Sequence, residues 1–129
     1  MKKGESNSTE TKTAEGRELA IACARAAVEI QAEDIRVLDL RGISSSTDFM
    51  IVCSGNSLPH LRAILREVDK NVREWTGTRP LYAEGNVDSR WIVLDYVDVM
   101  VHIMHGELRE HYGLEDLWGD AKIVEWEEA

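Results

Sequence analysis

Apolar residues recur along this chain with two different periods, and the switches between them mark its elements. From Glu15 to Gln31, Leu19, Ala22, Cys23, Ala26 and Ile30 fall on one helical stripe, and the many alanines suit close packing on a sheet. "DIRVLDL" (34–40) alternates and is rich in branched residues, which predicts a strand. After the loop "RGISSST", "DFMIVCS" (48–54) predicts a second. "GNS" then turns the chain, with Ser57 placed to cap a helix whose first turn tolerates Pro59. Leu58, Leu61, Leu65, Val68, Val72 and Trp75 follow at alternating spacings of three and four, predicting an amphipathic helix with one face on the sheet.

"LYAEG" (81–85) reads as a weak strand. "WIVLDYVDVMVHIM" (91–104) is too long and too branched for one short strand, so it is divided near Tyr96–Asp98 into two strands joined by a tight turn. "GELREHYGLEDLWGDA" predicts a short helix and turns, and "KIVEWEEA" a last extended piece. The order predicts one α/β domain over residues 15–129, with a mixed sheet of about five strands and helices mainly on one face. Residues 1–14 are polar and Ser/Thr-rich and read as a disordered tail.

The long apolar run raises a question of chemistry, because carboxylates are costly in an apolar layer unless paired. Strand alternation separates Ile92 and Leu94 from Trp91, Val93 and Asp95, and Val99, Val101 and Ile103 from Asp98, Met100, His102 and Met104. One set in each strand is purely aliphatic, as a face under helices requires. The other is mixed. It is either a solvated face whose aspartates cap the turn, or an open binding face presenting Trp and Met beside carboxylates.

Catalytic readings fare worse. Asp95 and Asp98 are spaced D-x-x-D, not as the D-x-D pair that chelates metal from one face of a strand. His102, His105 and His111 are close in sequence, but spacing three does not share a strand face and no Cys is near. Cys23 and Cys53 lie far apart in apolar stretches and read as reduced, buried thiols of a cytosolic protein. The "SGNS" turn could cradle an anion, although most such turns only connect a strand to a helix. No catalytic constellation emerges, and no cofactor is called for.

Charge then narrows the partner. Fifteen Lys and Arg stand against 24 Asp and Glu, a formal charge of −9. Such a chain is a poor grip for bare phosphate backbone and better suited to a basic partner. No apolar run reaches the ~18 residues that span a membrane.

"TDFMIVCSGNS", "EG" (84–85), "WIVLDYVDVMVHIM" and "REHYGLEDLWGDA" together resemble, in order and spacing, the ribosomal silencing factor family (RsfS, or Iojap), from about Glu15 to Ala121. The resemblance implies a nucleotidyltransferase-like core without transferase activity. It also implies docking on a basic protein of the large ribosomal subunit, ribosomal protein fourteen, which blocks joining of the small subunit and represses translation. Large-subunit assembly, or nucleotide binding on a degenerate transferase fold, are the alternatives. Carried over by position, contact residues include Trp91 and Asp95, with Tyr96, Asp98 and His102 in the same stretch; Met100, read from the mixed strand face, fills the patch with His102. The resemblance further implies a cytoplasmic homodimer. One departure stands out: the family usually has Gly where this chain has Val97, and positive φ there would strain a β-branched residue by about 1–3 kcal/mol.

Overall fold

The computed structural model describes residues 8–126, and the side chains of 16–81, 88–116 and 118–126. The elements run α1 (Ser8–Glu29), β1 (Glu33–Asp39), β2 (Phe49–Gly55), α2 (Leu58–Thr76), β3 (Tyr82–Asn86), β4 (Trp91–Asp95), β5 (Val99–His105), α3 (Gly106–Tyr112) and β6 (Lys122–Ile123). Short 3₁₀ turns occupy Val87–Ser89 and Leu114–Trp118. The six strands form one sheet in the order β3-β4-β5-β2-β1-β6. Only β2 and β5 pair in parallel, and they lie at its centre. The sixth strand is two residues of the closing segment, pairing Lys122 and Ile123 with Asp39 and Leu38.

Helix α1 starts at Ser8, inside the segment whose polarity predicted a tail from 1 to 14, while residues 1–7 lie outside the described part of the chain. Its buried line is Leu19, Ala20, Cys23, Ala24, Ala26 and Ala27, small residues that let the helix approach the sheet. Helix α2 begins as expected, with the Ser57 side chain accepting the His60 N–H and Pro59 in the first turn. Its end differs from the expectation. Leu61, Ile64, Val68 and Val72 are buried, but Leu58 and Trp75 are exposed. A repeat of three and four drifts about 20° per seven residues around a straight helix, so the ends of the stripe rotate off the sheet.

Both helices cover one face, over Val37, Phe49, Ile51, Cys53, Ile92, Leu94, Val99, Val101 and Ile103. The opposite face is not wholly open. Leu38, Leu40, Met50, Val52 and Met104 form a second core beneath Leu108, Leu114, Trp118 and Ala121, so α3 and the turn after it roof the β2–β1 side. The roof reaches Trp91 and Met104 at one end of the β4–β5 side, and among the described residues Val93, Asp95 and Met100 at the other end stay partly accessible.

Tyr96 faces the helices, 5% exposed, within the first core. Among the described residues its hydroxyl has no hydrogen-bond partner, and burial raises its pKa. A buried phenol without a partner destabilises, so Tyr96→Phe should be neutral or stabilising by about 1 kcal/mol in urea unfolding. A clear loss of stability would mean that the hydroxyl is satisfied.

Candidate functional site

Register defines the uncovered half-face. Trp91 pairs with Met104, Val93 with His102, and Asp95 with Met100, so alternation puts all six opposite the helices. Met104 is fully buried under α3, whereas Trp91, Val93, Asp95, Met100 and His102 remain partly accessible. Four sequence-predicted residues, Trp91, Asp95, Met100 and His102, are therefore brought together. Two are not. Tyr96 points into the core, and Asp98 sits beside α1, where a Cβ built on Gly16 would come within 3.9 Å of the Asp98 Cβ. Alternation from Ile92 and Leu94 already puts Tyr96 on the helix side, and only the family resemblance placed it among the contacts; Asp98 belongs to the turn, through which alternation does not extend.

Trp91 is held from two sides. Its Nε1–H donates to His102 Nδ1 at 3.1 Å, and its ring lies 5.5 Å from that of Tyr112, tilted by 49°. Tyr112, on α3 and 58% exposed, widens the aromatic patch, and His111 meets it edge-on. Spacing alone gave no sign of Tyr112, since its contact with Trp91 arises only when α3 folds back over β5.

Accepting on Nδ1 fixes His102 as neutral with its proton on Nε2, and burial lowers its pKa from 6.5 to about 4. Below 6.5 the unfolded chain takes up a proton that the folded chain does not. This contribution to stability is complete above that value and is lost as pH falls towards about 4. Allowing for residual exposure, it amounts to about 2 kcal/mol. Urea midpoints measured between about pH 4.5 and 7.5 should fall more steeply towards acid for the wild type than for His102→Asn. Parallel profiles would contradict a depressed pKa.

Asp95 has a second task. Its Oδ1 accepts the Val97 N–H at 2.7 Å, and the Asp98 N–H bonds to the Tyr96 carbonyl at 3.0 Å, closing a tight turn around Val97. Val97 has φ of +77°. Valine therefore sits at a positive φ that its branched side chain disfavours, and it bears the strain.

The other candidate chemistries find ordinary structural partners. Among the described residues, no three His, Cys, Asp or Glu side chains are grouped to hold a metal. His105 caps α3, with Nδ1 accepting the Glu107 N–H. Cys53 is fully buried and its thiol is pushed up to about 12, far from a nucleophile. In "SGNS", the Asn56 N–H bonds to His60 Nδ1, the His60 N–H to Ser57 Oγ, and the Leu61 N–H to the Ser57 carbonyl. Three backbone donors at this turn are thus engaged within the chain. Arg109 was not singled out from sequence. It is 5% exposed, and its Nη1 donates to Ser54 Oγ at 2.9 Å while Nε and Nη2 grip Glu115 at 3.3 and 2.8 Å.

Helices over one face of a mixed sheet, and a second face half roofed and half open, define a small single-domain α/β protein. The chain belongs to the ribosomal silencing factor family: the model described as ribosomal silencing factor during starvation matches residues 13–129. A Bacillus subtilis protein named ribosomal silencing factor RsfS is 41% identical over 95 residues, covering 74% of this chain and 80% of its own length. A crystal structure of a Chromobacterium violaceum protein has a TM-score of 0.76 and 31% identity, covering 80% of this chain and 85% of that one. A Bacillus halodurans crystal structure has a TM-score of 0.71 and 36% identity, covering 84% and 98%. More distantly, a mouse protein named mitochondrial assembly of ribosomal large subunit protein 1 is 32% identical over 89 residues, covering 67% of this chain and 39% of its own length.

Proposed function

We propose that this chain silences translation by docking on the large ribosomal subunit through the uncovered half of its sheet, and that it does so without catalysis. The observation that carries this reading is the half-face itself, on which Trp91, Met100 and His102 share a surface with Asp95. An aromatic anchor beside a carboxylate suits a protein surface rich in Lys and Arg. The net charge of −9 favours the same kind of partner. In this reading the partner is ribosomal protein fourteen of the large subunit, and the bound domain stands where the small subunit would join. Tyr96 and Asp98 act indirectly, by shaping the turn that presents Asp95. Among the described residues no helix is long and apolar enough to cross a membrane, and the proposed site of action is the cytoplasm.

The direct test is a joining assay. Added to separated subunits, the protein should reduce the joined fraction in a density gradient and migrate with large subunits only. Undiminished joining with the protein bound would instead favour a role in large-subunit assembly, the process named in the mouse relative. We also propose a homodimer in the free state, which light scattering of wild type and Trp91→Ala would test for overlap with the docking face.

A further inference from the structure

Helix α2 turns a line of cations outward. Arg62, Arg66, Lys70 and Arg73 are all exposed and follow one another at spacings of four, four and three, on the side opposite the buried Leu61, Ile64, Val68 and Val72. Four residues advance a helix by ~6 Å, so the line runs for ~16 Å with charge at nearly even intervals. Arg73 pairs with Asp69 at 3.7 Å, whereas Arg62, Arg66 and Lys70 have no ion pair among the described residues. Arg62 with Arg66, and Arg66 with Lys70, are like charges one turn apart, an arrangement that weakens a helix. A chain with 24 Asp and Glu against 15 Lys and Arg thus gathers cations on one surface at a cost to that helix.

We infer that this line grips the phosphate backbone of ribosomal RNA beside the docking site, as a second contact with the large subunit. This rests on the reading that the half-face docks there. The occupant is a polyanion because Pro59, Ala63 and the paired Asp69 interleave the cations, and no aromatic side chain stands among them to anchor in a protein pocket. Evenly spaced charge without stacking groups suits phosphates, whose contacts position a protein without selecting sequence. The net charge of −9 opposes RNA elsewhere on the chain, which confines the grip to α2. Since α2 packs on one face of the sheet and the half-face lies on the other, the two contacts do not compete.

The combined variant Arg62→Gln, Arg66→Gln and Lys70→Gln tests this, because glutamine keeps the helix propensity and removes only charge. Its apparent Tm should not fall, since two like-charge contacts disappear. Its affinity for isolated large subunits in about 0.1 M salt should fall at least roughly tenfold, and the slope of log affinity against log salt should become shallower by about 2, each phosphate contact contributing ~0.7–0.9. Unchanged affinity and slope would overturn the inference. A photoreactive Ala63→benzoylphenylalanine chain bound to large subunits should yield a ribonuclease-sensitive adduct. An adduct with protein alone, or none from the bound chain, would also overturn it. Asp95→Lys in the same assay separates the two levels. If it abolishes binding while the combined variant binds like wild type, only the α2 contact fails. If wild type does not bind large subunits at all, the docking reading fails and this inference with it.

Discussion

Replacing Arg109 with Met should lower the unfolding free energy by about 3–5 kcal/mol, the usual penalty for removing one partner of a buried ion pair. The side chain is 6% exposed and joins three elements: Glu115 in the turn after α3, Ser54 at the end of β2, and, at 3.8 Å, Asp34 in β1. Methionine keeps the unbranched stem but leaves the Glu115 carboxylate without its bidentate partner. Because Glu115 remains 24% exposed, water can reach it, which places the result near the lower end of that range. Urea unfolding measures the loss, and adding Glu115→Gln should recover part of it by removing the stranded charge. A loss below about 1 kcal/mol would mean that α3 and its turn are held by apolar contacts alone. The same pair predicts a direction with pH. Hydrogen bonding to Arg109 lowers the Glu115 pKa, so its contribution is present above the unfolded value and is lost as pH falls through the folded one.

Trp91→Ala should weaken binding to large subunits by about 2–4 kcal/mol, roughly 30- to 1000-fold. The indole can serve as an anchor because it is already immobilised: His102 accepts its N–H and Tyr112 lies against its ring. Little side-chain entropy is then lost on docking. Trp91→Phe should fall between wild type and alanine, since it keeps a ring but leaves His102 Nδ1 without its donor. Affinity titration against isolated large subunits, with thermal unfolding as a control for folding, checks both. An alanine variant that folds and binds like wild type would remove Trp91 from the interface.

Much of this was legible from periodicity. Alternation along Trp91–Asp95 and Val99–His105 assigned Ile92, Leu94, Val101 and Ile103 to the helix face, and the structure places them there. The hairpin division near Tyr96–Asp98 and the Ser57 cap were equally readable, because turns and caps depend on a few residues in sequence. What escaped depended on folding back. Alternation cannot follow Asp98 through a turn whose central residue has positive φ, and Tyr96 was carried into the contact set by resemblance although alternation with Ile92 and Leu94 points it inward. Nothing in "REHYGLED" announces that Arg109 is buried, since its partners at Ser54 and Asp34 are distant in sequence. The roof over Met50, Val52 and Met104 likewise needs the 3₁₀ turn at Leu114–Trp118, which carries no helical period.

Co-sedimentation of wild type and Asp95→Lys with isolated large subunits, small subunits and joined ribosomes tests the docking face most directly. The account predicts that the wild type pellets with large subunits alone and that the folded variant stays in the supernatant. Sedimentation of the lysine variant with large subunits as completely as wild type would contradict it.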